Sequence, residues 1–158
     1  MDADHQQQES HVQLHYSKLV ANLPGCVLRS RPSRQGDFVF VSDGIESLTG
    51  YPAADFMGKK VLLSELILPE DLPLLYGQLD DSLMARHSYQ LHYRIRHRNG
   101  SIRWIYSVGQ GVYDEFGKLT FLDGLLLDNT ATRLAEQETQ RVRSQLERAI
   151  GALDVGFA

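Results

Sequence analysis

The sequence predicts an α+β fold built on a sheet of about five strands, two early and three late, with helices inserted between the two sets. Two observations carry that prediction. Between residues 43 and 86 the apolar positions recur at helical spacing, with Leu72, Leu75, Tyr76, Leu79 and Leu83 on one side of the longest helix. From Tyr89 the period changes to two: Tyr89, Leu91, Tyr93 and Ile95 alternate with Gln90, His92, Arg94 and Arg96, the pattern of a half-buried strand.

Each element has its own signal. Residues 1–10 form a polar leader, and Ser10 is placed to cap a helix whose apolar face carries Val12, Tyr16, Leu19, Val20 and Leu23. Pro24-Gly25 ends that helix. Residues 26–29 and 38–42 are β-prone, with Pro32, Ser33 and Gly36 marking a hairpin loop between them. Asp43 is expected to cap a short helix ending at Gly50, and Pro52 to open another ending at Gly58. Asn99-Gly100 predicts a type I′ hairpin turn, because both residues tolerate the positive φ it needs. Strands over residues 102–113 and 119–127 follow, with a turn at 114–117 between them. After Asp128-Asn129-Thr130 the chain is helical to about Gly151. Its thin stripe of Ala135, Thr139, Val142, Leu146, Ala149 and Leu153 alternates steps of four and three, as a weak coiled-coil seam does.

Composition excludes several function classes. The chain has 158 residues, of which 42% are apolar and 23% charged, so it can bury a core. A formal net charge of -4 argues against nucleic-acid binding. The single cysteine, Cys26, excludes an internal disulfide and fits a reducing compartment. No apolar run is long enough to cross a bilayer and no secretory signal opens the chain, so a cytoplasmic location without membrane insertion is expected. No G-x-S-x-G, P-loop or H-E-x-x-H stands in the sequence, so this segment is not read as an enzyme. The six histidines are scattered, and no metal site is expected of them.

Five fragments in order then give a resemblance. Phe40-Val41-Ser42 with Gly44-Ile45-Glu46, Leu48-Thr49-Gly50-Tyr51 and Phe56-Met57-Gly58 is followed by Leu66-Ile67-Leu68-Pro69-Glu70-Asp71. Tyr93-Arg94-Ile95-Arg96 precedes Asn99-Gly100-Ser101-Ile102-Arg103-Trp104-Ile105, and Asp128-Asn129-Thr130 closes the series. Over residues 16–130 the chain resembles the PAS family in its bacterial form with a fused C-terminal motif. The resemblance implies a five-stranded antiparallel sheet with helices on one face. An N-terminal cap helix (1–24) and a coiled-coil-like signalling helix (131–153) would flank the PAS domain (25–130), and residues 154–158 would open a following domain.

What the resemblance implies about function is a sensory input and dimerisation domain of a larger signalling protein, a histidine kinase or cyclic-dinucleotide enzyme. The pocket residues expected are Ile45, Leu48, Phe56, Leu66, Leu75 and Leu79 from the helices, facing Leu91, Tyr93, Tyr106, Leu122 and Leu126 of the sheet. A small apolar or amphipathic ligand suits such a lining; a ligand-free dimerisation scaffold is the alternative. The cofactor is unassigned: none is favoured, with flavin or haem as the other readings. The haem reading is weakened because Leu68 replaces the family's "L-I-H-P" histidine, and the reactive-cysteine flavin motif is absent. Asp128 and Thr130 are expected to couple sheet to helix. A homodimer is expected to bury Val12, Tyr16, Leu19, Ile105, Leu125, Leu127, Val142 and Leu146.

Overall fold

A computed structural model describes residues 25–156, so the expected cap helix with Val12, Tyr16 and Leu19 lies outside the described residues. Strands β1 (Gly25–Ser30) and β2 (Phe38–Val41) come first. Helices α1 (Ile45–Thr49), α2 (Ala53–Met57) and α3 (Leu63–Leu66), a 3₁₀ turn (Pro69–Asp71) and α4 (Leu72–Met84) follow. Strands β3 (Tyr89–Arg96), β4 (Ile102–Tyr113) and β5 (Leu119–Asp128) complete the sheet, and helix α5 (Thr130–Gly156) closes the described chain. The strand order is β2-β1-β5-β4-β3, all neighbours antiparallel. The chain forms two compact units that divide between Asp128 and Asn129.

The core lies between the helices and one face of the sheet. Ile45, Leu48, Phe56 and Leu75 meet Cys26, Leu28, Leu91, Tyr93, Ile95, Ile105 and Leu126, all buried. The other face of β5, with Phe121, Leu125 and Leu127, is half-buried. Asp43 does not cap α1. The N-cap position is Gly44, and the first N–H groups of the helix, on Ile45 and Glu46, donate instead to the Ser42 and Asp43 carbonyls.

The β3–β4 hairpin corrects two expectations together. Only Gly100 has positive φ, at 89°, and Asn99 does not, so the turn is not type I′. His97 and Ser101 close a three-residue loop: the His97 N–H donates to the Ser101 carbonyl at 2.8 Å, and the Gly100 N–H returns to His97 at 2.8 Å. A two-residue Asn-Gly turn would set Tyr93 opposite Tyr106. The longer loop instead sets Tyr93 opposite Ile105 and Tyr106 opposite His92. A one-residue change in register exchanges the faces of a strand. Ile105 is therefore a core residue, 1% exposed, and Tyr106 belongs to the outer face, stacked on His92 with ring centroids 4.7 Å apart. Neither holds the position expected for it in pocket or interface.

The free edge of β3 is covered by the segment before α4. The Leu68 N–H donates to the Arg94 carbonyl at 3.0 Å, and the Arg94 N–H donates to the Asp71 carboxylate at 2.9 Å. The Arg94 guanidinium grips the same carboxylate at 2.6 and 3.0 Å. Paired in this way, the edge at Arg94 and Ile95 offers no template to another chain. Arg94 holds the Asp71 carboxyl below its ordinary value, its side-chain hydrogen bond outweighing burial. A carboxylate favoured in the folded state contributes stability above its unfolded pKa of about 4 and loses it as pH falls through and below that value. The stability difference between wild type and Asp71→Asn is thus expected to be largest near neutrality and to shrink in acid. Urea unfolding at neutral and acid pH checks this, and a difference constant with pH would refute it.

Helix α5 spans 27 residues, about 40 Å at 1.5 Å per residue. Along it Leu134, Val142, Leu146, Ile150 and Leu153 are exposed. The Thr139 hydroxyl is turned back to the Ala135 carbonyl at 3.0 Å.

Candidate functional site

A partly open cavity of about 100 Å³ lies between the sheet and helices α3 and α4. Leu75, Leu79, Leu91, Tyr93, Leu122 and Leu126, expected there from the resemblance, all line it. Other expected residues do not. Ile45, Leu48 and Phe56 are packed solid at 0–2% exposure, and Leu66 lines a separate open groove with Tyr51, Glu70, Arg96 and Arg98. The cavity also takes Leu28, Ser30, Phe38, Tyr89, Ser107 and loop residues 33, 34 and 36, which sequence reasoning missed. The serine in the middle of β4 was the available signal, since a small polar side chain on an inward face leaves room and a hydrogen-bonding group.

Two facing glycines shape the sheet side. Gly109 pairs with both Tyr89 and Gly124, and the Tyr89 phenol lies across the two. No side chain other than glycine leaves the backbone bare enough for that approach. Burial pushes the Tyr89 phenol up to about 12 and raises the Tyr93 phenol above its ordinary value, against a weaker opposing effect of the Ser107 hydrogen bond. Burial likewise pushes the Cys26 thiol up to about 12, so it is an inert core group. The cavity therefore presents neutral hydroxyls at every ordinary pH.

Size decides which groups fit. Sites for larger ligands run to about 300 Å³ and upward. A flavin or haem ring does not fit a cavity of about 100 Å³, and none of His87, His92 and His97 lines it. His92 stands on the outer face, and His97 is held in the hairpin loop between the Ser47 carbonyl and the Asn99 N–H. Among the described residues no group of three or more metal-ligating side chains gathers, and no helix is long and apolar enough to cross a membrane.

The second part of the site is the end of β5. Asp128 is its last residue, and the Arg103 guanidinium on β4 meets the Asp128 carboxylate at 3.3 Å. Thr130 begins α5 two residues later.

A five-stranded antiparallel sheet of this order, with helices packed on one face, defines the domain as α+β. The sequence model of the PAS fold matches residues 38–126, more than half the chain, and the chain belongs to the PAS family. A structure of a sensory box histidine kinase/response regulator from Burkholderia thailandensis E264 is 25% identical, with a TM-score of 0.70, over 84% of this chain and 98% of that one. The N-terminal domain of a diguanylate cyclase with PAS/PAC sensor from Marinobacter aquaeolei shares the fold at 21% identity and TM-score 0.59, covering 69% and 98% of the two chains. A methyl sulfide methyltransferase-associated sensor of Methanosarcina acetivorans is 28% identical over 110 residues, 69% of this chain. The match spans 11% of that relative's length.

Proposed function

We propose that this chain is the input and dimerisation segment of a larger, cytoplasmic signal-transduction protein, with a kinase or cyclic-dinucleotide output domain following α5. A small apolar or amphipathic ligand in the cavity biases the sheet, and Asp128 and Thr130 pass that bias to α5. The observation that carries this reading is the Arg103–Asp128 ion pair, which ties β4 to the last residue of β5 where the chain turns into the helix. The half-buried Leu125 and Leu127 and the exposed Val142 and Leu146 supply apolar surface for a second copy, so that two output helices run side by side. Ile105, fully occupied in the core, is not part of that surface. A ligand-free relay scaffold is the second reading, favoured by the small volume of the cavity.

The test is the output activity of the full-length protein. Asp128→Ala and Arg103→Ala are each expected to change signal-dependent output by about fivefold or more, the scale of an allosteric coupling. Unchanged output in both variants would remove the coupling role.

A further inference from the structure

The cavity is lined by strands, by helices and by one loop. Residues 31–37, between β1 and β2, lie against α3 and α4, with Ser33, Arg34 and Gly36 on the lining. The loop is fastened at its rim. The Arg34 guanidinium meets Asp80 of α4 at 2.7 Å and lies over the Tyr76 ring at 4.8 Å, while the Tyr76 hydroxyl donates to the Arg34 carbonyl at 2.8 Å. The Ser64 hydroxyl of α3 donates to the Gln35 carbonyl at 3.2 Å. Arg34 and Asp80 are exposed over 64% and 50% of their side chains, and such a pair shifts an open–closed balance by no more than about fivefold. The other walls part only if sheet or helix bonds break. The loop is where the cavity opens at least cost.

The lining also selects by charge. Arg34 is its one charged residue, and that charge is engaged by Asp80. An ionised ligand would enter a site of neutral hydroxyls and hydrocarbon with nothing to compensate it, which is costly. Tyr93 and Ser107, both on the lining, offer donors and acceptors to a neutral polar group.

We propose that residues 31–37 are a lid over the cavity, clasped by Arg34. The molecule it admits is neutral, of about four or five non-hydrogen atoms, with a hydroxyl or carbonyl directed at Tyr93 and Ser107. Its physiological meaning rests on the sensing function proposed above; its test does not.

The experiment is an NMR titration of the whole chain with 1-propanol, propionate and propylammonium, three probes of one size and different charge. 1-Propanol is expected to shift the Leu91, Ser107 and Leu126 amides saturably, with a dissociation constant of the order of millimolar for so few atoms. The two ions should bind at least tenfold more weakly. Bound 1-propanol should also slow amide exchange in residues 31–37, whereas Arg34→Ala should quicken it and weaken 1-propanol by about twofold to fivefold. Tyr93→Phe, nearly isosteric, should weaken 1-propanol further. Equal binding of propionate would overturn the neutral class, and an Arg34→Ala variant indistinguishable from wild type would overturn the lid. No saturable shift with 1-propanol would overturn the whole proposal, while Asp128→Ala judges the coupling function separately.

Discussion

Phe56→Ala is expected to cost about 3–5 kcal/mol, a large fraction of the roughly 5–15 kcal/mol that holds a domain of this size together. The ring is 2% exposed and sits edge-on to Phe38 at 5.8 Å and to Tyr51 at 6.5 Å. Truncation removes its apolar burial, both aromatic contacts, and the anchor of a five-residue helix that has no side-chain cap of its own. Short helices are stable through tertiary packing rather than propensity, so α2 has little else to hold it. The damage should spread to the cavity, since Phe38 is both a partner of Phe56 and part of the lining. Urea unfolding of the chain is the measurement. Phe56→Leu should recover most of the loss, and a cost for Phe56→Ala below about 1 kcal/mol would show that the site collapses around the gap.

Gly109→Ala is expected to cost about 1–3 kcal/mol, as overpacking does. An added Cβ would collide with the Tyr89 hydroxyl and with the Asp123 carbonyl. The first obstacle is a side chain and the second is backbone, and that difference makes a test. Tyr89→Leu in the Gly109→Ala background removes the phenol, whose hydroxyl and ring carbon Cζ both meet the added methyl, so the double variant should cost less than the sum of the singles, but not fall to zero. Strict additivity in the double-mutant cycle would mean that the phenol does not occupy the notch.

Helix and strand positions that obey one period were legible in the sequence. Leu75 and Leu79 follow from the spacing of α4, and Leu91 and Tyr93 from the alternation of β3, because each period points the side chains without reference to anything distant. Strand β4 was not legible in this way. Ile102, Trp104, Tyr106 and Val108 share one parity and Ile105 stands on the other with Arg103 and Ser107, yet Ile105 and Ser107 are the buried pair, because the length of the loop set the phase against the strand's own pattern. Asn99-Gly100 located that loop correctly but suggested the wrong number of residues in it. The lid was illegible for another reason: Arg34 meets Asp80 and Tyr76 across more than forty positions of chain, contacts that no local period records.

The place of β5 in the sheet has a mechanical consequence. It is bonded along both edges, to β1 and to β4, and the chain leaves it directly for α5. Tension applied along β5 at its end loads two antiparallel ladders in shear, so many hydrogen bonds share the force at once. An edge strand pulled from one end would surrender its bonds singly, like a zipper. A pull along the strand at Asp128 would therefore reach the middle of the sheet with little lost to fraying, and Leu122 and Leu126 of the same strand lie on the cavity wall.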